Sequence, residues 1–471
     1  MSSNHPELMH SYPNPMLDSM PLAHKYAAEK SQLALNITCG GLHYPDVLAP
    51  WGVSESADGV NSDAGLNSNG PFSTMPVVWE WEYGDRSNTT RVREKLYPLV
   101  KGEVDFFSCW LQLNETTGFF HDLHDCTSES AGVCQGQDST MTLSMARRSF
   151  DVAAAMAAAV GEPADPKWAE VRAKLAPYPS GWMHLDPPGY AMASNESHLC
   201  SFCGPFRYDV PGSAGDCQDT GGRAVQQENC TMSTGGTCPE GAARCNSRVV
   251  GDSANGAGHS GPPSGGNSHS IFPAFPADAV GTNDTEWTAT MANTVFKASA
   301  TSFGQGNAWT KIYSAAARLT GPGLLRAEDT YTAWLSNLKA QQQPNFIPFN
   351  GFSGFETVGA SEFVNYMLLQ SDPSGFLGLF EAWPQSMDAS FERLRGRGAF
   401  VVSSALTRGK VGETTIVSER GGRCVLRRPA SWPEPAVAVT LAGRKAALSW
   451  LGGGAYFAFE TEAGARYTLS G

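Results

Sequence analysis

The sequence predicts a mainly helical domain followed by a small antiparallel β domain. Up to about residue 370, apolar residues recur every three or four positions, the spacing of helices that bury one face. No strand pattern alternates with these segments, so a sheet built from βαβ units is not expected. After Phe400, short apolar or alternating runs are divided by turn signals such as Gly452-Gly453-Gly454, which is typical of antiparallel strands.

Three of the helices carry start and stop signals. The cap-rich Asn88-Thr89-Thr90 precedes a long helix with apolar positions from Val92 to Leu111. Asp138 is expected to begin a second helix, which Gly161 ends. Asp165-Pro166 combines a cap with a proline in the first helical position, and predicts the start of a third.

Four further helices are expected downstream. They lie at 287–295, 309–319 and 331–338, and from about Ala360 to Gln370. The strand signals that follow are 400–402, 415–417, 424–426, 436–439, 447–450 and 455–459. These patterns predict a helical domain over residues 1–398 and a C-terminal β domain over residues 399–471.

Composition narrows the range of partners. The net charge is −13, and there is no lysine- or arginine-rich run. Nucleic acids and anionic membrane surfaces are therefore not expected as partners. No apolar run is long enough to span a bilayer. The 12 tryptophans include side chains that could stack on sugar rings, although most are expected in the core.

The cysteines indicate an oxidising compartment. Six of 11 lie in a Gly- and Ser-rich insertion at about 186–266: Cys200, Cys203, Cys217, Cys230, Cys238 and Cys245. Only Cys200 and Cys203 have the spacing of zinc ligands, so three disulfides are favoured over a metal site. Cys126 and Cys134 could close another loop. Six glycosylation sequons agree with secretion: Asn36, Asn88, Asn114, Asn195, Asn229 and Asn283. The chain begins with no signal peptide, so we expect the natural N-terminus to lie upstream of Met1.

The segment from Tyr366 to Phe400 resembles a known family. Its parts are Tyr366-Met367-Leu368-Leu369-Gln370-Ser371, then a loop ending in Trp383-Pro384, then Leu394-Arg395-Gly396-Arg397-Gly398. This is similar to the C-terminal end of the catalytic domain of glycoside hydrolase family 95, which includes α-L-fucosidases. Other similar stretches follow the family order: 96–101, Ser128-Glu129 with Asp138, 175–179, Ser268-His269 with Phe272-Pro273, and 309–319. The resemblance extends from about Asn4 to Arg423.

The resemblance implies a fold and a reaction. It implies an (α/α)6 barrel of the six-hairpin glycosidase type, incomplete at its N-terminus. It also implies inverting hydrolysis of terminal α-L-fucose or α-L-galactose from an oligosaccharide or polysaccharide, with no cofactor and no metal. Inversion needs an acid and a base whose carboxyl groups lie about 6.5–9.5 Å apart, with water between the base and the sugar.

Two catalytic carboxylates are proposed by position. Glu356 stands where the resemblance implies the base, although it could simply cap the helix that follows. The family's paired asparagines, which help to activate water, would lie upstream of Met1. The family's acid belongs to a Glu-Trp step that is missing here, which leaves Asp186, Glu196 and Glu228 as candidates. Asp186 is preferred because its neighbours, which include Trp182, would raise the pKa of a carboxyl group.

Other residues are candidates for substrate binding. Glu129 and Asp138 could contact sugar, or could serve as a loop anchor and a helix cap. His269 could hold a hydroxyl group or could be a core histidine, and Trp182 could stack on a sugar ring. His121 and His124 would need a helix to share a metal ion, and their surroundings indicate a loop.

Two other functions remain open. A barrel that binds glycans without cleaving them is favoured by the missing asparagine pair and Glu-Trp step. A polysaccharide lyase would need a cluster of Tyr, His and Arg or a cation, and no such cluster is evident in the sequence.

Overall fold

The computed structural model describes residues 10–44, 48–49, 52–53, 66–84, 86–125, 136–183, 217–218, 224–225, 247–252, 269–284, 286–301, 309–321, 324–341, 360–434 and 437–471. Over these ranges the helices are α1 (Pro13–Asp18), α2 (Met20–Leu35), α3 (Asn69–Tyr83), α4 (Thr89–Arg91), α5 (Tyr97–Trp110), α6 (Thr140–Val160), α7 (Pro166–Ala173), α8 (Thr288–Thr301), α9 (Trp309–Arg318), α10 (Ala327–Gln341) and α11 (Ala360–Leu368). None of the described helices is long and apolar enough to cross a membrane.

Local signals account for most of the helix ends. The Asn88 side chain accepts a hydrogen bond from the Arg91 N–H and caps α4, as the sequence predicts. A π-helical turn, Val92–Leu96, joins α4 to α5. Gly161 ends α6 in the left-handed conformation, with φ of 77°. Asp165 caps α7 through the N–H of Lys167.

The prediction that Asp138 begins α6 is wrong in detail. The helix begins at Thr140, and Ser139 is the residue at its N-cap. Asp138 has a φ of 53°, outside the helical region, and its carboxylate is directed back to the segment around residue 121. Its side chain therefore belongs to a tertiary cluster rather than to a helix cap.

Four short pairs of strands lie within the helical part. They are β1 (Leu48–Ala49) with β2 (Gly52–Val53), β3 (Gln112–Asn114) with β4 (Phe119–His121), β5 (Ser180–Met183) with β8 (Ser247–Val250), and β6 (Cys217–Gln218) with β7 (Ala224–Val225). The β5–β8 pair closes the long insertion at its base. No βαβ unit is formed by the described strands.

The C-terminal strands form two facing sheets. They are β9 (Leu369–Ser371), β10 (Leu377–Leu379), β11 (Ala389–Gly396), β12 (Phe400–Thr407), β13 (Lys410–Val411), β14 (Thr414–Ser418), β15 (Gly422–Arg427), β16 (Ala438–Leu441), β17 (Arg444–Lys445), β18 (Ser449–Leu451), β19 (Tyr456–Thr461) and β20 (Ala465–Ser470). One sheet has the order β18-β19-β15-β10-β9. The other has the order β11-β12-β14-β20-β16-β17, with β13 also paired to β12. Pairing is antiparallel except between β10 and β15.

The sheets begin at Leu369, upstream of the boundary predicted between residues 398 and 399. The strands β9, β10 and β11 share a hydrophobic core with the later strands. This core includes the fully buried Trp432, Phe457 and Ile416. The helices pack around a larger core of their own, so the described residues form two hydrophobic cores. The helix α11 runs directly into β9.

A disulfide fixes the segment that follows α2 onto α5. It joins Cys39 to Cys109. Close to it, the Leu42 N–H donates to the carbonyl of Gly102 over 2.7 Å. Gly41 lies so close to α5 that a β-carbon there would collide with its backbone. In the sandwich, Cys424 is a buried thiol without a disulfide partner.

One end of the helical part faces the sandwich. The C-terminus of α11 runs straight into β9, and Arg318 at the C-terminus of α9 bonds the carbonyl of Ser371. Glu82 at the C-terminal end of α3 pairs with Arg397 in the β11–β12 turn. The N-termini of α3 and α11 therefore lie at the end remote from the sandwich.

Candidate active site at the remote helix ends

Buried carboxyl groups cluster at the remote end. Asp122 and Asp125 follow strand β4, and Asp138 precedes α6. None of the three residues is more than 1% exposed. The backbone ties them together: the Asp138 N–H donates to the carbonyl of Asp122, and the Asp122 N–H donates to Oδ1 of Asp138. Three carboxyl groups are therefore held in one small, dry volume.

Asn67, just before α3, binds two of these carboxyl groups. Its Nδ2 donates to Asp122 Oδ1 over 2.7 Å, and its backbone N–H donates to Asp125 Oδ1 over 2.8 Å. Trp110 Nε1 also donates to Asp122 Oδ1, over 2.9 Å. Thr142 donates its hydroxyl to Asp125 Oδ2 over 2.6 Å. Four segments of the chain therefore meet at the pair Asp122 and Asp125.

Burial determines the protonation of this pair. Burial, the adjacent Asp125 charge and a hydrogen bond to Asp125 raise the pKa of Asp122 well above its usual range. Burial also raises the pKa of Asp125, although hydrogen bonds from Thr142 and Asn67 oppose the rise. Two neighbouring carboxyl groups in a dry site favour a state in which one of them keeps its proton.

A buried lysine faces the pair from α2. Lys30 is 5% exposed, and its Nζ lies 3.4 Å from Nε2 of His43 and 5.3 Å from the ring centre of Trp110. Burial lowers the pKa of Lys30 to about 8, whereas the charges of Asp125 and Asp122 favour its protonated form. Lys30 is therefore a basic group close to the buried carboxyl pair.

His121 supports the third carboxylate. Its Nδ1 lies 2.8 Å from Asp138 Oδ2, and its Nε2 lies 3.2 Å from the Thr117 hydroxyl. His124 is exposed and has a φ of 58°, and neither histidine is on a helix. Over the described ranges, no group of three or more His, Cys, Asp or Glu side chains is arranged to hold a metal ion.

Several loops begin or end on this cluster. Asp125 and Gly136 exchange backbone hydrogen bonds of 3.0 and 2.8 Å, and these close the loop that contains residue 129. Asp252 Oδ1 accepts from the Ser270 N–H, and its carbonyl accepts from the Thr140 N–H beside Asp138. The insertion that contains residue 186 returns through β8, which runs directly into Gly251 and Asp252.

The predicted site residues are only partly described. Asp138 lies in the cluster. His269 begins a short 3-10 helix, His269–Ile271, and its neighbour Ser270 is bonded to Asp252. The Trp182 backbone pairs with Arg248 in the β5–β8 ladder. The candidates outside the described residues are Glu356, Asp186, Glu129, Glu196 and Glu228, together with Cys126 and Cys134. Of the six insertion cysteines, only the backbone of Cys217 is described, so the predicted disulfides stay predictions.

Three members of the site give little signal in the sequence. Lys30 occupies an ordinary position on an amphipathic helix. Asn67 stands in a segment rich in Asn, Ser and Gly, where an asparagine is expected as a turn residue. Asp122 stands between two histidines that draw attention to a metal site. Only the alternation of side chains along a strand, which places Asp122 on the same face as Phe120, could have indicated that Asp122 enters the core.

No protein-family model and no curated protein matches this chain. Solved structures with some similarity include a protein assigned as a kojibiose phosphorylase from the human microbiome, with a TM-score of 0.46 and 8% identity over 90% of this chain. Another is an α-L-rhamnosidase of Streptomyces avermitilis, with a TM-score of 0.34 and 12% identity over 99% of this chain. A third is described as a glycoside hydrolase, with a TM-score of 0.25 and 8% identity over 85%. The chain spans 49%, 38% and 55% of their respective lengths.

Proposed function

We propose that the chain is a secreted glycoside hydrolase that removes terminal α-L-fucose or α-L-galactose with inversion, and that its helices form an (α/α)6 barrel. The observation that carries this proposal is the carboxyl cluster at the remote helix ends. Loops that contain the candidate residues Glu129 and Asp186 begin or end there. The segment that contains Glu356 leads into the N-terminus of α11, at the same end of the helical part. The order of family-like motifs along the chain supports the same function.

The cluster itself positions other groups rather than reacting. Asp122, Asp125 and Asp138 are too deeply buried to contact a sugar ring. They fix the bases of the loops through charge-assisted hydrogen bonds, which are stronger than neutral ones. In this proposal Glu356 is the base that activates water, and Asp186 is the acid that protonates the leaving oxygen.

Two asparagines of this end are suited to hold the water. Asn67 Oδ1 and Asn69 Nδ2 are buried and bond no group among the described residues. Buried polar atoms of native proteins nearly always have a partner, so these two favour a bound water. We assign to them the role that the family resemblance gives to an asparagine pair. This assignment takes the place of the expectation that the pair lies upstream of Met1.

The Cys39–Cys109 disulfide is consistent with the proposed secretion, because such bonds persist in oxidising compartments. Two sequon asparagines also have surface positions: Asn36 follows the end of α2, and Asn114 lies in the exposed β3–β4 turn.

The test is hydrolysis of aryl α-L-fucosides and α-L-galactosides by the full chain. Glu356→Gln is expected to reduce the rate at least 100-fold, the usual scale for loss of a general base. The matched control is Glu328→Gln, because Glu328 is an exposed residue in the first turn of the neighbouring α10. It removes a similar favourable interaction with a helix dipole without touching the cleft.

The outcomes separate the three functions. Release of the inverted anomer, seen by NMR at early times, supports inverting hydrolysis. Undiminished hydrolysis by Glu356→Gln would show that another group is the base. Binding of fucose-terminated glycans without turnover by the wild-type chain favours the non-catalytic barrel. A lyase would leave both glycosides intact and release an unsaturated product from a uronate-containing polysaccharide.

A further inference from the structure

A cavity lined by arginines lies at the other end of α3, between the helical part and the sandwich. Its volume is about 290 Å³. The walls come from the C-terminal end of α3, from α6, and from the β9–β10, β11–β12 and β14–β15 turns. Its charged lining residues are Glu82 and five arginines: Arg86, Arg148, Arg397, Arg420 and Arg423. Among the described lining residues, the arginines therefore outnumber the carboxylates.

The acidic groups in and beside this cavity are already paired. Glu82 forms ion pairs with both Arg148 and Arg397, the latter at 3.0 Å. Asp278, just behind them, lies 2.5 Å from Arg397 and 2.8 Å from Arg318. Two carboxylates thus face three arginines, which leaves this buried part of the wall with an excess of positive charge.

Arg86 and Arg420 are two further arginines of the cavity wall. The Arg86 guanidinium lies 3.8 Å from the ring centre of Trp81, and its Nε donates to the Trp81 carbonyl over 2.6 Å. The Arg420 side chain passes over the backbone of Gly398, with Nη2 3.6 Å from the position of a β-carbon there. Burial and the nearby Arg420 charge lower the pKa of Arg86 to about 9. Two like charges therefore approach each other within the cavity.

Among the described residues, Glu82 is the only carboxylate that lines the cavity. Glu419, next to Arg420 in the chain, pairs with Arg395 at 2.7 Å. Glu460 stands opposite the exposed Arg423 in the β15–β19 ladder and does not line the cavity.

We propose that this cavity binds an oxyanion group, a sulfate or a phosphate, between Arg86 and Arg420, with Arg423 at the rim. A guanidinium presents paired N–H donors that match the oxygens of such a group, and two converging guanidinium groups provide both charge and geometry. Arg148 and Arg397 are positioning residues, because Glu82 and Asp278 hold them in the wall. The anion could be a free ion or an ester group on an acidic polysaccharide.

This site is separate from the candidate active site. The α3 helix has 15 residues, so its two ends are about 22 Å apart. The inference does not depend on hydrolysis, and it holds for a non-catalytic glycan-binding protein as well.

The test is calorimetric titration of the full chain with sodium sulfate and with sodium phosphate, at an ionic strength kept constant with chloride. A sulfated oligosaccharide and its desulfated form provide a second arm. Arg86→Gln and Arg420→Gln are expected to weaken binding at least tenfold. Arg420→Lys keeps the positive charge but loses the paired N–H donors of the guanidinium, and is expected to bind the anions with an intermediate affinity. The control is Arg444→Gln, because Arg444 is an exposed residue of β17.

The two arms identify the source of the anion. Tighter binding of the sulfated oligosaccharide than of the free ions assigns the site to an acidic glycan, and the reverse assigns it to a free anion. Equal affinities for the wild type, Arg86→Gln and Arg420→Gln, or no binding beyond that of chloride, would overturn the proposal. If Arg86→Gln or Arg420→Gln fails to fold, Arg423→Gln at the exposed rim replaces it. This variant is expected to lose at least twofold in anion affinity.

Discussion

Glu103 makes the stability of the helical core depend on pH. It lies in the middle of α5, fully buried, and it accepts a hydrogen bond from the Thr74 hydroxyl of α3. Ser149 of α6 lies beside it, and Tyr44 is close enough for its pKa to be raised by the glutamate charge. Burial raises the pKa of Glu103 from 4.5 to about 7, because the carboxylate loses its hydration.

The direction of the effect follows from these two values. Below pH 4.5 the carboxyl group is protonated in both the folded and unfolded chain. Between pH 4.5 and 7 the unfolded chain loses the proton and the folded chain keeps it, so the free energy of unfolding falls as the pH rises. At about 1.4 kcal/mol per pH unit, the fall due to Glu103 is about 3 kcal/mol, and it ends above pH 7.

Glu103→Gln isolates this contribution, because glutamine has the same shape and stays neutral. Both proteins are unfolded with urea at pH 5, 6, 7 and 8. The free energy of unfolding of the variant, minus that of the wild type, is expected to rise by about 3 kcal/mol between pH 5 and 8. Asp122, Asp125 and Asp138 are present in both proteins and cancel in the difference. The exposed Glu94 provides the control, Glu94→Gln. A difference that stays constant over this pH range would refute the reasoning.

Two further predictions concern the links between segments. Asp278→Asn removes the carboxylate between Arg318 and Arg397 and is expected to lower the free energy of unfolding by about 3–5 kcal/mol. The control is Asp151→Asn, which breaks the exposed pair with Arg172 and should cost less than about 1 kcal/mol. Equal losses for the two variants in urea unfolding would contradict this prediction. Replacing Cys39 and Cys109 by serine removes a cross-link between residues 70 positions apart, and is expected to lower the free energy of unfolding by about 4 kcal/mol in the same assay. An unchanged urea midpoint would argue against the disulfide.

The sequence predicts the later helices well because their signals are local. The helices α8, α9 and α10 cover the segments expected from apolar spacing, and α11 begins at Ala360 as predicted. It ends at Leu368, however, because the next residues pair with β10. The run Leu369-Gln370-Ser371 continues a helical pattern, and only its tertiary partner makes it a strand. Pro76 inside α3 is a similar case, since an internal proline argues against a helix in the sequence.

The site is less accessible to prediction because its contacts are distant in sequence. Asn67 and Asp122 are 55 positions apart, and nothing in either segment indicates the other. The Cys39–Cys109 pairing has no local signature either, since the connectivity of disulfides does not follow from cysteine positions alone. Asp138 illustrates both the local signal and the distant contact. It stands next to a helix start and resembles a cap, yet a buried histidine 17 positions away is its actual partner.

The helix α3 connects the two sites and explains their opposite charges. Its N-terminus has free N–H groups and a partial positive charge, and the carboxyl groups of Asp122 and Asp125 lie there, bound through Asn67. Its C-terminus has the opposite polarity, and Arg86, Arg148 and Arg397 gather there around Glu82. Sites separated by more than about 10 Å normally contribute additively. Substitutions at Arg86 or Arg420 should therefore change anion affinity equally in the wild type and in Glu356→Gln, so that failure of one proposal leaves the other intact.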